Sequence, residues 1–204
     1  MKPDEKPGVK PEAGSESFPA GTNPEAFSGT NTGTNPGANP AASLGANPSL
    51  GWMLRSPARI LAFGFGSGLM RPAPGTWGTA FAWVLHALAL RELPVAYQVA
   101  AAILAFGAGI WACGHAGRDL GVADHGGMVL DEVAAFWLVL ALVPASVTAQ
   151  LAAFALFRLF DIVKPPPIRH AERRWKNGFG VMFDDLLAAL YTLLVFAIWQ
   201  RLPT

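Results

Sequence analysis

Between Leu93 and Gly114 the chain runs 22 residues without Asp, Glu, Lys or Arg, and between Val133 and Phe157 it runs 25. Two shorter apolar stretches, Trp77–Leu90 and Leu186–Gln200, lie on either side. A helix needs about 20 apolar residues to span the hydrocarbon of a bilayer. The sequence therefore predicts an all-α, membrane-associated domain with about four apolar helical regions, Leu93–Gly114 being the clearest span. The competing expectation is a compact helical domain, soluble or peripheral, with the same hairpins.

The stretch Val133–Phe157 carries Pro144 near its middle, followed by Ser146, Thr148 and Gln150. Proline removes a backbone donor and clashes inside a helix. Two helices of about 11 residues rise only about 16 Å each, about half a bilayer. A hairpin at Pro144 is expected, and it returns Asp161 to the side of Asp131-Glu132. If Trp77–Leu90 leaves that side and Leu93–Gly114 returns, then Arg71, Arg118, Arg158, Lys164, Arg169, Arg173, Arg174 and Lys176 all share it. Arg91 and Arg201 lie opposite. The positive-inside tendency makes the basic side cytoplasmic.

Composition divides the chain. Residues 1–50 are polar and repeat Gly-(Thr/Ala)-Asn-Pro at Gly21, Gly33, Gly37 and Gly45. They hold too little apolar surface to offset ordering entropy and are expected to be a disordered tail, with residues 51–204 as one helical domain. The tail lacks the apolar core of a secretory signal and is expected to stay in the cytoplasm. It holds 3 basic and 5 acidic residues, and the remainder 12 and 9. Neither balance suits a nucleic-acid partner. Gly51–Phe63, with Trp52, Leu54, Ile60 and Leu61 beside Arg55 and Arg59, reads equally as an interfacial segment or an ordinary first helix. The single cysteine, Cys113, falls in an apolar run and reads as a small buried hydrophobe.

Acids sit at the edges of the apolar stretches: Asp131-Glu132, Asp161 and Asp184-Asp185. Gathered on one membrane face beside Arg and Lys, they suit metal-assisted chemistry on a phosphorylated lipid. One acid of each pair fits a helix start, where free N–H groups and the dipole favour it. The second costs solvation if buried, so a cation is a reasonable partner. Asp161 follows Phe157-Arg-Leu-Phe160 near a helix C-terminus, where the dipole disfavours an anion. A salt bridge to Arg158 or Lys164, or a metal or catalytic role, is left for it. Lys164-Pro-Pro-Pro167 then forces a stiff, extended exit. Carboxylates are hard ligands that suit Mg²⁺ better than zinc, and nearby Arg and Lys suit a transferring phosphoryl group. His125 reads as structural.

The segment Gly64–Thr79 is rich in glycine, with Ser67, Thr76 and Thr79, and leads into a helix. Exposed N–H groups there can hold an anion. It is neither a Walker loop nor a dinucleotide fingerprint; taken alone, a turn with tight helix packing is the plainer reading. Other phosphatase chemistries fit poorly. Four residues lie between Cys113 and Arg118 where a cysteine phosphatase loop needs five, and no Asp-x-Asp pair of the haloacid dehalogenase kind occurs.

Three blocks stand in order: Gly64-Phe-Gly-Ser-Gly…Pro-Gly-Thr-Trp-Gly-Thr79; Asp119-Leu-Gly-Val-Ala-Asp-His-Gly…Asp-Glu132; and Phe157-Arg-Leu-Phe-Asp-Ile-Val-Lys-Pro…Pro-Ile-Arg169 with Gly178-Phe-Gly-Val-Met-Phe-Asp-Asp185. In these the chain resembles the phosphatidylglycerophosphatase A family, Mg²⁺-dependent lipid phosphatases of bacterial membranes. The resemblance runs from about Gly64 to Tyr191. It implies hydrolysis of phosphatidylglycerophosphate to phosphatidylglycerol and phosphate, an all-helical fold, Mg²⁺ as cofactor, and a site on the cytoplasmic face of the inner membrane. By motif, Asp131, Glu132, Asp161, Asp184 and Asp185 become catalytic acids, with Glu132, Asp161, Asp184 and Asp185 as metal ligands. Arg158, Lys164, Ser67, Gly75 and Thr76 become phosphate contacts. Ala134, Ala135 and Ala189 stand where the family often has Gly, Pro166 stands in a common Lys-Pro-Trp-Pro, and Asn177 replaces a Gly. Every candidate acid is present. The alternative is a small transporter or channel subunit with acids lining an ion path, which predicts acids inside the spans rather than at their edges. A structural module with capping acids only is a third.

Overall fold

A helix that is apolar on every side belongs in a protein core or in a membrane. The helix α5 (Leu130–Leu142) takes the core position, with Phe136 and Val139 fully buried. Around it pack α3 (Pro74–Leu85), α4 (Val95–Leu120), α6 (Val147–Val163) and α8 (Gly178–Trp199). Two short helices, α1 (Leu50–Met53) and α2 (Pro57–Ala62), precede this bundle, and α7 (Ile168–Arg174) links α6 to α8. The computed structural model describes residues 48–175 and 177–201, without the side chains of residues 171–173. No strand occurs among the described residues. The tail expected to be disordered falls mainly on residues 1–47, outside the described residues, as do the side chains of Arg173 and Lys176.

The expected hairpin at Pro144 is present. α5 ends at Leu142, and α6 starts after Ser146, whose hydroxyl oxygen accepts from Ala149 N at 3.3 Å. The ring centroids of Phe136 and Phe154 lie 5.7 Å apart, and Arg158 reaches Glu132. Both pairs have the same residue-number sum, so the two helices run antiparallel and Glu132 and Asp161 share one end. α8 runs antiparallel to α6, since Lys164 meets Asp184 and Phe160 meets Tyr191. The N-termini of α3, α5 and α8 and the C-termini of α4 and α6 therefore gather at one end of the bundle.

Among the described residues two helices are long and apolar enough to cross a membrane: α4, which contains the stretch expected to be the clearest span, and α8. The stretch Trp77–Leu90 belongs to α3 and a following π-helical turn, His86–Leu90, together 17 residues or about 25 Å. The third stretch is divided by its hairpin. The first segment is tied to the bundle: Arg59 of α2 bonds Asp119 of α4 at 2.8 Å and lies 4.2 Å over the Trp52 ring. Cys113 is fully buried, as its setting implied.

Candidate active site

The first turn of α5 directs Asp131 and Glu132 inward, where both are buried. Neither caps the helix; they sit one and two residues inside it, near the free N–H groups and the positive end of its dipole. Asp184 and Asp185 were expected to open the last helix, but α8 begins at Gly178. Asn177 caps it, accepting from Gly180 N at 3.0 Å. Both aspartates therefore lie nearly two turns inside α8, buried, and capping does not account for them.

The structure sorts the five acids. Carboxylate oxygens of Asp131, Glu132 and Asp185 lie within 4.8 Å of one another. Asp161 is bound by Arg158 at 2.7 Å. Asp184 is bound by Lys164 at 2.6 Å. Asp131, outside the metal set that the resemblance implied, thus joins the tight group, while Asp161 and Asp184 hold its two cations. Arg158 Nη1 also approaches Glu132 Oε1 at 3.4 Å. Glu132 Oε2, Asp185 Oδ2 and Arg158 Nε are buried without a hydrogen-bond partner.

Burial drives the electrostatics. It holds Asp131 well above the ordinary carboxylate range, with repulsion from Glu132 and Asp185 adding to the effect. It pushes Glu132 up to about 7, outweighing the hydrogen bond to Asp131 and the attraction of Arg158. Three close carboxylates, two with orphaned oxygens, can be relieved by shared protons or by a cation. Hard oxygen donors in this arrangement fit Mg²⁺. Asp131, Glu132 and Asp185 are the residues that would hold it.

The glycine-rich loop supplies the wall beside them. A Cβ on Gly75, in the first turn of α3, would strike Glu132 Oε1 and come within 2.7 Å of Arg158 Nη2. Only glycine lets this helix start approach the pair. Thr79 donates to the Gly75 carbonyl at 2.8 Å, and Thr76 is half-buried in the same turn. Ser67 takes a different role. Its hydroxyl is buried and donates to the Gly64 carbonyl at 2.8 Å, which braces the loop. Lys164 has φ 46°, and its ammonium group is directed to Asp184.

One acid of the site escaped the sequence reading. Asp124, in the loop before α5, lies close enough to Asp184 to repel its charge. Its signal was its place inside the second motif block. His125 beside it accepts from Gly127 N at 3.1 Å and packs on Phe63, which fits its structural reading.

Residues 60–200 match the family model of phosphatidylglycerophosphatase A. The chain belongs to the phosphatidylglycerophosphatase A family. Phosphatidylglycerophosphatase A of Haemophilus influenzae is 47% identical over 151 residues, which cover 73% of this chain and 92% of that protein. Its namesake in Escherichia coli is 36% identical over 141 residues, covering 67% of this chain and 80% of that one. A Bacteroides thetaiotaomicron protein named as a phosphatidylinositol-3-phosphatase, an assignment its name marks as provisional, is 38% identical over 146 residues, 68% and 91% of the two chains. No solved structure matches the chain.

Proposed function

We propose that this protein hydrolyses the terminal phosphomonoester of phosphatidylglycerophosphate, releasing phosphatidylglycerol and phosphate, with Mg²⁺ bound at the inner face of a bacterial membrane. The observation that carries this reading is the buried trio Asp131, Glu132 and Asp185, with two unpartnered oxygens, set against Arg158 and the start of α3. A bound cation supplies charge neutralisation for the trio and for the phosphate oxygens. Arg158 and the backbone N–H of Gly75 supply donors for charge developing on the phosphoryl group, whereas the Thr76 N–H donates to the Ala73 carbonyl at 3.0 Å. Asp161 orients Arg158, and Lys164 neutralises Asp184. Attack comes from water or from one of the aspartates. With a substrate whose terminal phosphate is made chiral by oxygen isotopes, inversion at phosphorus identifies direct attack by water and net retention identifies the aspartyl route.

Membrane residence is supported by where the apolar surface lies. The apolar window of α4 is only 22% buried and that of α8 44%, whereas the core helix of a soluble protein is mostly covered. Leu104, Trp111, Leu194 and Trp199 on these helices are more than half exposed. Contiguous apolar surface on this scale marks an interaction with lipid or protein. The acids gather at the end of the bundle instead of midway along it, which favours surface chemistry over an ion path.

The test is phosphate release from phosphatidylglycerophosphate in mixed micelles, with Mg²⁺ or with EDTA. We expect release with Mg²⁺ and at least a hundredfold less with chelator, as is usual when a charge-stabilising element of a site is removed. Chelator-insensitive release contradicts the cation. Preferential hydrolysis of phosphatidylinositol 3-phosphate, run in parallel, reassigns the headgroup.

A further inference from the structure

Directly beside the acids, α4, α5 and α8 separate around a cavity of about 130 Å³. Ala102, Ile103 and Phe106 of α4, Ala135 and Leu138 of α5, and Leu186 of α8 line it, with no polar side chain in its walls. Its α5 and α8 walls belong to the same helices as the acids. Asp131, Ala135 and Leu138 are spaced by four and three residues, so one face of α5 carries both acid and cavity. Leu186 directly follows Asp185. On α4, Cys113 lies close enough to Glu132 and Asp185 to feel their charge. Phe106 and Ile103 precede Cys113 by about 10 and 15 Å along the helix axis. The cavity thus starts about one turn from the carboxylates and extends away from them.

Its mouth lies on the apolar exterior. Ile103 is 64% exposed and the adjacent Leu104 74%, on a helix long enough to cross a bilayer. An apolar cavity of roughly 150 Å³ stays dry and takes a benzene-sized guest, so this one suits a few methylenes and repels a headgroup. A partner helix, about 10 Å across, is too wide for it. A single hydrocarbon chain is not.

We propose that this cavity receives the first methylenes of one acyl chain of the substrate and so sets how far the headgroup reaches toward the acids. The inference rests on the reading of the protein as a phospholipid phosphatase. In such a substrate the reacting phosphate stands at the far end of a glycerol headgroup, and the apolar chain begins well behind it. That is the order in which the acids and the cavity are arranged along α4 and α5.

The experiment compares the full-length protein with Ile103→Trp, which narrows the mouth from an exposed position, and Ala135→Leu, which fills the cavity from within. Substrates are dipalmitoyl phosphatidylglycerophosphate in mixed micelles and its deacylated, water-soluble headgroup. For both variants we expect kcat/KM on the dipalmitoyl lipid to fall about tenfold, equivalent to losing burial of about two methylenes, while the deacylated headgroup is turned over at the wild-type rate. If Ala135→Leu does not fold, Ile103→Trp still decides. Wild-type activity on the dipalmitoyl lipid, or equal loss on both substrates, overturns the proposal and leaves the phosphatase reading intact. A wild-type protein inactive on the lipid removes the phosphatase reading, and this proposal with it.

Discussion

Gly75 shows how closely the site is assembled at the scale of single atoms. A methyl group there would occupy the place of Glu132 Oε1 and crowd the Arg158 guanidinium. Both side chains are buried and both hold other contacts, so neither can yield freely. Gly75→Ala is expected to lower kcat by about a hundredfold, the cost of misplacing catalytic groups by about 1 Å. The variant should fold, since the strain is confined to two side chains; circular dichroism together with phosphate release checks this. Unchanged kcat would mean that the approach of α3 to the acids has no catalytic use. Gly75 was legible because a glycine before a helix reads as a place for close approach. For Ser67 the sequence offers a hydroxyl in a glycine-rich loop, and only the folded loop shows that it donates to the Gly64 carbonyl. For Asp161, polarity alone showed the need for a partner and left a salt bridge or a metal or catalytic role open. An acid at a helix C-terminus needs a partner, and Arg158 is that partner at 2.7 Å.

At the scale of helices, placement of the acids depends on how α8 begins. A Cβ on Gly178 would strike the Ile110 carbonyl and come within 2.7 Å of Gly114 N, both backbone atoms of α4. A backbone contact cannot be relieved by a rotamer, so α8 must move. Gly178→Ala is expected to cost about 1–3 kcal/mol by overpacking. This corresponds to a fall of about 2–10 °C in apparent Tm for a chain of this size. Because α8 carries Asp184 and Asp185, activity should fall with it. A variant with unchanged Tm would show that α4 and α8 are not docked this closely. The sequence announced the hairpin at Pro144, because proline acts locally. It placed the start of α8 too late, because the signal used was the acid pair itself. The capping residue is Asn177, and Gly178 and Gly180 follow it for packing reasons that depend on α4 and Trp175, distant or unordered in a linear reading. For the same reason Asp131 was separated from Glu132 and Asp185 in the expected ligand set. Which carboxylates converge is decided by the rotation of α5 against α8.

Over the whole molecule, the buried acids would couple folding to the cation binding proposed above. Glu132 is held at about 7 in the fold, above its value of about 4.5 in an unfolded chain, because burial disfavours its charge. Asp131 is displaced in the same direction for the same reason. The folded state therefore binds protons more tightly than the unfolded state. This contribution to stability is complete below pH of about 4.5 and is lost as pH rises through about 7. A shift of this size is worth several degrees of apparent Tm, about 5–10 °C. In EDTA, apparent Tm should fall by that amount between pH 5 and pH 8. A divalent cation held by the trio would bind its deprotonated form and compete with protons, so its stabilising effect would grow as pH rises. Excess Mg²⁺ should raise apparent Tm clearly at pH 8 and very little at pH 5, and binding near pH 7 should release protons measurable in a weakly buffered titration. Sensitivity to Mg²⁺ that is equal at both pH values would place the cation away from Asp131, Glu132 and Asp185. Glu132→Gln removes one titrating group and should flatten the EDTA curve while weakening the Mg²⁺ effect at pH 8. That joint outcome separates a cation held by the trio from one bound elsewhere on the protein.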